Sequence, residues 1–339
     1  MRIAGAVNLC VVLLLTSSLA LSQNLYQRTL KLMGSRFDIS VVANDSVQGN
    51  QFIDIAVNEI SRIESLISSW DSTSQTSLIN RNAGIRPVEV DPELYNLIER
   101  SLHISRLTQG AFDITFASTD RIWHFDGTMV SMPTPDQVAK SVSNVGYQNV
   151  ILNKTNYSVF LAKKGMRIGF GAIGKGFAAD KAKALLMQHG VAGGIVNASG
   201  DMNAWGTQPN GEQWRIAITN PFNKSVPFGL LPLNGGALVT SGDYEKFVVF
   251  NGKHYSHIIN PKTGYPVSGI VSASIFAPKA ELADALATAV MVMGVDTGLD
   301  FVNQVKGVEA IIVDENGKVF TSKGVQLEHI SSFNLLKNN

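Results

Sequence analysis

The chain has 339 residues, of which 45% are hydrophobic and 16% are charged, and it carries a formal net charge of +1. This length and composition predict a globular protein with a full hydrophobic core, in one large domain or two ordinary ones. The near-neutral charge provides neither the basic surface of a nucleic-acid-binding protein nor an acidic tail, so we expect no nucleic-acid partner.

The first 22 residues have the pattern of a secretory signal, with a basic start at Arg2, an apolar stretch over residues 3–21 and small residues before Gln23. We expect cleavage after Ser22 and a location in the periplasm or on the outer face of the inner membrane. An uncleaved segment that anchors the chain in the membrane is the alternative. The only cysteine, Cys10, lies in this segment, so the mature chain would have no disulfide and no cysteine ligand or nucleophile.

The start of the mature chain has a strand, strand, helix pattern. Alternating apolar residues over 26–43 predict two strands around a turn at 33–35, and helical spacing predicts a helix over 51–68. The polar stretch 68–80 is expected to be irregular. It contains Trp70, which we interpret either as an anchor for this loop or as a ring that stacks on a ligand.

A second helix is predicted over 91–108, with Asp91 as its N-cap and Pro92 at its first position. A turn at 110–115, an irregular stretch over 116–135, a short helix over 136–145 and a strand over 150–161 follow. We find no repeat and no low-complexity linker that would mark a domain boundary.

Residues 166–176 are rich in glycine and predict a strand, a turn and the start of a helix that continues over 177–190. Two phosphate-binding patterns nearly match. The stretch contains GxGxxG, but it fails as a P-loop because Gly176 stands where a P-loop needs Ser or Thr. Main-chain N–H groups at a helix start, beside Lys175, suit a phosphate. The alternative is that the glycines serve only a tight turn.

After residue 191 the chain returns to short strands at 194–198, 214–219, 236–241, 246–250 and 254–259. The Gly and Asn turns between them predict mostly antiparallel pairing, which argues against a doubly wound parallel sheet. The stretches 197–201 and 241–244 place small residues and acids at strand ends, where sites often lie. His257 ends the last of these strands before a Pro and Gly turn at 260–266. A further strand at 272–276 and a closing hairpin at 310–321 complete the pattern.

The helix predicted over 279–294 carries the strongest candidate for a metal site. It is apolar except at Asp284 and Thr288, so its carboxylate would be buried and needs a partner. Because the two residues are four apart, their oxygens project from one face of the helix, and hard oxygen ligands suit Mg²⁺. The alternative is structural: Thr288 would bond to the carbonyl of residue 284, and Asp284 would pair with a Lys or Arg.

Taken together, five motifs resemble the ApbE family of FAD:protein FMN transferases, from Met33 to about Gly324. They are Gly110-Ala-Phe-Asp113, Gly171-Ala-Ile-Gly-Lys-Gly176, Ser241-Gly-Asp-Tyr244, Ser256-His-Ile-Ile-Asn-Pro-Lys-Thr-Gly264 and Ala283-Asp-Ala-Leu-Ala-Thr288. The resemblance implies an α+β fold, with a single domain over residues 26–330 whose mixed and antiparallel sheet is flanked by helices. Two residues depart from the family pattern: Ser35 replaces a threonine, and Ser77 stands where an acid is common.

The resemblance also implies which residues bind the ligands. Mg²⁺ would be held by the side chains of Asp284 and Thr288, with the main-chain oxygens of Ala172 and Ala287 nearby. The flavin and adenosine pocket would be lined by Met33, Trp70, Ala111, Phe112 and Asp113. The rest of the FAD would face Gly169, Lys175 and the residues after His257, beginning with Ile258.

The expected activity is transfer of the FMN part of FAD to a Ser or Thr hydroxyl of an acceptor protein, with release of AMP and dependence on Mg²⁺. His257 is the first candidate for the general base, and Asp243 is the second. Membrane contact is expected only through an uncleaved N-terminal segment or a membrane-bound acceptor. Three alternatives stay open: hydrolysis of FAD to FMN and AMP, a flavin or nicotinamide oxidoreductase with parallel strands after the GxGxxG turn, and an exported flavin-binding protein without catalysis.

Overall fold

The computed structural model describes residues 23–129, 131–223, 227, 229–233, 235–242, 247–250 and 253–325. Its strands are β1 (Asn24–Leu32), β2 (Ser35–Ala43), β3 (Val88–Glu89), β4 (Val150–Asn153), β5 (Ser158–Leu161), β6 (Gly194–Ala198), β7 (Asp201–Trp205), β8 (Trp214–Ile218), β9 (Gly229–Leu233), β10 (Gly236–Gly242), β11 (Phe247–Phe250), β12 (Lys253–Ser256), β13 (Ile270–Ala277), β14 (Glu309–Asp314) and β15 (Val319–Thr321). Its helices are α1 (Ser46–Ile67), α2 (Gln75–Arg81), α3 (Pro92–Leu107), α4 (Pro135–Ser141), α5 (Gly174–Gln188), α6 (Ala280–Met293) and α7 (Val295–Val302).

One large sheet organises the fold. Its eight strands lie in the order β1-β2-β6-β7-β10-β13-β14-β15, and every strand pair among the described residues is antiparallel. The predicted α+β class, with antiparallel sheet flanked by helices, is confirmed. Three smaller sheets, β3-β5-β4, β8-β9 and β11-β12, lie beside it.

A hydrophobic core lies on each face of the sheet. Successive residues of a strand point to opposite sides, so one strand contributes to both cores. From β2, Phe37, Ile39 and Val41 enter the larger core together with buried residues of α1, α5 and α6. On the other face, Val42 joins a smaller core built from the β8-β9 hairpin, which includes Trp214. The helices that carry the candidate site therefore all lie against one face of the sheet.

Helices α5 and α6 pack unusually closely at their first turns. A Cβ atom on Gly176 would lie 2.2 Å from the carbonyl oxygen of Ala280, a distance that no side chain can accept. Gly174 is also confined, since a Cβ atom there would lie 2.9 Å from the Ile67 side chain. Gly176 is thus required for helix packing, because its contact is with main chain, whereas the contact at Gly174 is with the flexible end of a side chain.

Several sequence predictions are confirmed, and others need correction. The β1-β2 hairpin turns at 33–34, and Asp91 caps α3 through the N–H of Glu93. The stretch 68–80 is not wholly irregular, because Ser74 caps the short helix α2. The single strand predicted over 150–161 is in fact the β4-β5 hairpin. The helix predicted over 136–145 ends at Ser141. Residues 114–118 form a 3₁₀ turn. Strands β3, β7 and β9 and helix α7 were not predicted.

The strand predicted before the glycine turn does not form. Main-chain groups at 167–168 bond instead to side chains, those of Ser118 and Asn80. After α5 the chain enters β6, which is antiparallel to both neighbours. The parallel strands that the oxidoreductase alternative requires are therefore absent from the described residues.

Residues 1–22, with the predicted signal and Cys10, lie outside the described residues. Across the described part of the chain, no helix combines the length and the apolar character needed to cross a bilayer.

Candidate active-site cleft

A cleft of about 690 Å³ opens where the first turns of α5 and α6 meet the ends of β6, β7 and β10. Eleven of the predicted site residues line it: Trp70, Ala111, Phe112, Asp113, Gly169, Ala172, Lys175, His257, Ile258, Asp284 and Thr288. Its volume lies within the range of small-molecule sites. The fold therefore gathers into one cleft residues that are up to 218 positions apart in the sequence, from Trp70 to Thr288.

Asp284 lies at the floor of the cleft, and its side chain is buried. Its Oδ2 accepts a hydrogen bond of 3.1 Å from the main-chain N–H of Gly176, which the close contact of α5 and α6 makes possible. Burial raises the pKa of the Asp284 carboxyl, against the opposing charge of Lys175 and the Gly176 N–H group. The carboxylate thus has one main-chain donor and a nearby cation, and a side that faces the cleft.

Thr288 lies one turn further along α6 and also lines the cleft. The structural alternative required its hydroxyl to bond to the carbonyl of residue 284. Among the described residues the structure gives no such bond. Thr288 and Asp284 thus line the same cleft from one face of α6, one helical turn apart.

The half-buried Lys175 forms an ion pair with the buried Asp201 in the same part of the cleft. Burial and the nearby charge of Asp284 raise the pKa of Asp201 to about 7, against the attraction of Lys175. Burial lowers the pKa of Lys175, but the carboxylates of Asp284 and Asp201 outweigh this and hold the pKa above its ordinary value. Two acids and one lysine thus share a desolvated site, in which each charge depends on the others.

The oxygen ligands at this position fit Mg²⁺. No group of three or more His, Cys, Asp or Glu side chains that could hold a metal ion occurs among the described residues. Mg²⁺ commonly takes only one or two carboxylates and completes its shell with water and phosphate oxygens. Asp284 and Thr288, with Asp201 close by, supply such a set. Ala172 lines the cleft, whereas Ala287 is buried in the core and does not.

The helix start of α5 is less open to a phosphate than the sequence predicts. The N–H of Gly174 donates to the carbonyl of Phe170 at 2.7 Å, and the N–H of Gly176 donates to Asp284. Protein acceptors thus occupy both of these groups. The positive charge that remains for a bound anion in this part of the cleft comes from the Lys175 side chain.

Trp70 stands at the rim of the cleft with 79% of its surface exposed. This exposure favours the ligand-stacking interpretation over the loop anchor. The Arg121 guanidinium lies 4.7 Å from the ring centroid, which leaves the other ring face for a ligand. Trp70 also borders an adjoining cavity of about 190 Å³, and Met33 lines that cavity rather than the main cleft.

Asp113 lines the cleft, but protein groups already use both of its oxygens. Oδ1 accepts hydrogen bonds from the N–H and hydroxyl of Thr115, and Oδ2 accepts one from the N–H of Tyr147 at 2.9 Å. Burial raises the pKa of Asp113, and these hydrogen bonds oppose the shift. Its side chain therefore shapes the pocket wall formed with Ala111 and Phe112.

His257 lies at the mouth of the cleft, directly after β12, and its side chain is exposed. Its ring meets that of Phe125 edge to face, with 6.5 Å between centroids. The Trp123 indole N–H, from the same loop as Phe125, donates to the carbonyl of Gly264 at 2.9 Å and ties that loop to the turn after His257. Asp243, the second candidate base, lies outside the described residues.

The site also contains residues that sequence reasoning did not assign to it. Asp201 is the most important, and Ser199, Thr240, Ser241 and Gly242 line the cleft around it. The sequence does carry a signal for them, because small residues and acids lie at the strand ends 197–201 and 241–244. Ser199 has a φ of 54°, in the left-handed region, which turns the chain sharply between β6 and β7 and brings Asp201 to Lys175.

Comparison with known proteins supports the same family. The model of the ApbE family matches residues 33–312. The chain is 31% identical to the FAD:protein FMN transferase of Treponema pallidum over 77% of this chain and 76% of that protein, and 28% identical to one from Klebsiella pneumoniae over 89% and 93%.

Solved structures agree in fold. The crystal structure of an ApbE protein from Thermotoga maritima superposes with a TM-score of 0.80 at 31% identity, covering 88% of this chain and 97% of that chain. The flavinyl transferase ApbE of Pseudomonas stutzeri, at 24% identity, has a TM-score of 0.78 over 89% and 95%. The family that the five motifs predict is thus confirmed, and the chain belongs to the ApbE family.

Proposed function

We propose that this chain is an enzyme that transfers the FMN part of FAD to a Ser or Thr hydroxyl of an acceptor protein, with Mg²⁺ and with release of AMP. The observation that carries the proposal is the pair of oxygen ligands on α6: the buried Asp284 carboxylate and the Thr288 hydroxyl, at the floor of a large cleft. The relatives named FAD:protein FMN transferase support the substrate.

The reaction breaks and forms one bond at phosphorus. The acceptor hydroxyl oxygen attacks the phosphorus on the riboflavin side of FAD, and the bond from that phosphorus to the bridging oxygen breaks. AMP leaves with the bridging oxygen, and FMN stays on the acceptor as a phosphoester. The hydroxyl proton passes to a base, and no oxidant or reductant is involved.

The main task of such a site is to stabilise negative charge, because this charge builds up on the pyrophosphate during phosphoryl transfer. A Mg²⁺ ion held by Asp284 and Thr288 would neutralise part of this charge. Lys175 adds a fixed positive charge next to it, and its high pKa keeps it protonated at neutral pH. Both acids are themselves buried, so their charges are only weakly screened by solvent.

His257 is the general base that takes the proton of the acceptor hydroxyl in this proposal. It lies at the mouth of the cleft, where a protein acceptor has access. Trp70, exposed on the rim and covered on one side by Arg121, is placed to stack on a ring of the FAD. The reacting hydroxyl thus enters from the side of His257, while the pyrophosphate lies deeper, near Asp284.

We also propose that the chain acts outside the cytoplasm. The basic start, apolar stretch and small residues of the first 22 positions support this. Cell fractionation and the N-terminal mass of the purified chain test it. A mature chain that begins at Gln23 in the periplasmic fraction is expected, and a cytoplasmic chain that retains Met1 would contradict the proposal.

The activity is tested by mixing the mature chain with FAD, Mg²⁺ and an acceptor protein that offers a threonine. The acceptor mass is expected to increase by one FMN less a water, and AMP is expected in equal amount. Asp284→Ala should abolish the transfer while the chain stays folded. Free FMN and AMP without a change in acceptor mass would indicate a hydrolase, and intact FAD would indicate a binding protein.

A further inference from the structure

The first turn of α6 has no capping side chain of its own, although this helix carries Asp284. Lys279 precedes the helix and makes no capping hydrogen bond. The cap comes from α5: the Asp180 carboxylate accepts hydrogen bonds from the N–H groups of Ala280 at 2.9 Å and Glu281 at 3.0 Å. A carboxylate at a helix N-terminus also interacts favourably with the helix dipole. Asp180 therefore fixes where α6 begins.

The same carboxylate contacts the strand that carries Asp201. The Asn203 side-chain amide donates to Oδ1 of Asp180. The Lys183 ammonium donates in turn to Oδ1 of Asn203 and to the carbonyl of Ala204, each at 2.8 Å. Asn203 lies two residues after Asp201 on β7, so the two side chains point to the same face of the sheet.

Asp180 thus lies where three elements meet, and each of them supplies one member of the charged cluster. Lys175 comes from α5, Asp284 comes from α6, and Asp201 comes from β7. Asp180 does not line the cleft itself. Asp180 can therefore affect a bound ligand only by changing where these three residues lie.

We propose that Asp180 is a positioning residue for the transfer reaction: by capping α6 and bonding to β7, it sets the positions of Asp284 and Asp201 relative to each other. The proposal rests on the proposed function, since Asp284 would hold Mg²⁺ while Asp201 holds Lys175 beside it. Residues that orient metal ligands from behind commonly change metal affinity by about 10-fold to 100-fold when they are altered.

The test compares Asp180→Asn with Glu281→Gln in the full mature chain. Asp180→Asn keeps one acceptor oxygen but places an amide N–H₂ group against the other main-chain N–H donor, so one of the two capping bonds is lost. Glu281→Gln weakens the ion pair to Arg100, with contacts of 2.6 and 2.8 Å, at the same turn but leaves the cap in place. Both variants disturb the first turn of α6, so the control accounts for a purely structural effect.

The affinity for MgCl₂ alone is measured by calorimetric titration without FAD, and melting temperatures are recorded alongside. The Kd for Mg²⁺ is expected to rise about tenfold or more in Asp180→Asn and to stay within about twofold in Glu281→Gln. Equal Kd values in the two variants would overturn the proposal, because Asp180 would then be only a helix cap.

Two further measurements keep the proposal decidable. If Asp180→Asn does not fold, the half-buried Lys183 is replaced by Met, which removes the hydrogen bond from Lys183 to Asn203. An unchanged Kd for Mg²⁺ in Lys183→Met would then overturn the proposal. If the wild-type chain binds no Mg²⁺ alone, the metal assignment is in question, and the affinity for FAD decides instead. A Kd for FAD that rises more in Asp180→Asn than in Glu281→Gln supports the positioning role, and equal values overturn it.

Discussion

Replacing Gly176 by alanine tests the close contact of α5 and α6 on which the site depends. The new Cβ atom would lie 2.2 Å from the Ala280 carbonyl oxygen, and since this is a main-chain atom the helices must move apart. Overpacking of this kind costs up to about 3 kcal/mol. Alanine offsets about 1 kcal/mol of this through its better helix propensity. We therefore expect a net loss of about 2 kcal/mol in the free energy of unfolding.

Urea denaturation and thermal melting measure this loss, and a fall of about 3 °C in melting temperature is expected. Gly171→Ala is the matched control, because a Cβ atom there meets no atom within 4 Å. Gly176→Ala should also weaken Mg²⁺ binding, since the hydrogen bond from the Gly176 N–H to Asp284 would lengthen. A Gly176→Ala chain at least as stable as the wild type would refute the close packing.

Three further predictions concern single side chains. His257→Ala should lower kcat by about 10²-fold to 10⁴-fold with the Kd for FAD unchanged; an unchanged kcat would place the base elsewhere. Trp70→Ala should weaken FAD binding by about 0.5–1.5 kcal/mol without loss of stability, because the ring is exposed; fluorescence titration and melting measure the two effects. Burial raises the pKa of Glu93, but hydrogen bonds from Arg62 and Lys181 outweigh burial, so the pKa in the folded chain is lower than the ordinary value. The ionised Glu93 therefore stabilises the fold above about pH 4.5, and this stabilisation should be lost as the pH falls through the folded-state pKa. Glu93→Gln should remove this part of the pH dependence of the melting temperature.

Elements that depend on neighbouring residues were predictable from the sequence. The hairpin turn after Leu32 and the start of α3 at Asp91 and Pro92 are signalled within a few positions, and the structure agrees. The pair Asp284 and Thr288 is also local, because four residues make about one helical turn. These parts of the fold and the site followed from spacing alone.

Elements that depend on distant residues were not predictable in this way. The stretch 166–168 reads as a strand, but side chains 88 and 49 positions away, Asn80 and Ser118, bond to its main chain instead. The contact of Lys175 with Asp201 requires a turn with a left-handed Ser199, and periodicity does not signal such a turn. The hydrogen bond from the main-chain N–H of Tyr147 to the Asp113 carboxylate likewise joins residues 34 positions apart, and spacing does not predict it.

A crystal of the mature chain soaked with FAD and Mg²⁺ tests the central claim most directly. The ion is expected about 2.1 Å from the oxygens of Asp284 and Thr288, with the FAD pyrophosphate beside it and a ring of the FAD against Trp70. An FAD molecule bound away from this turn of α6, or an ion bound elsewhere, would contradict the account.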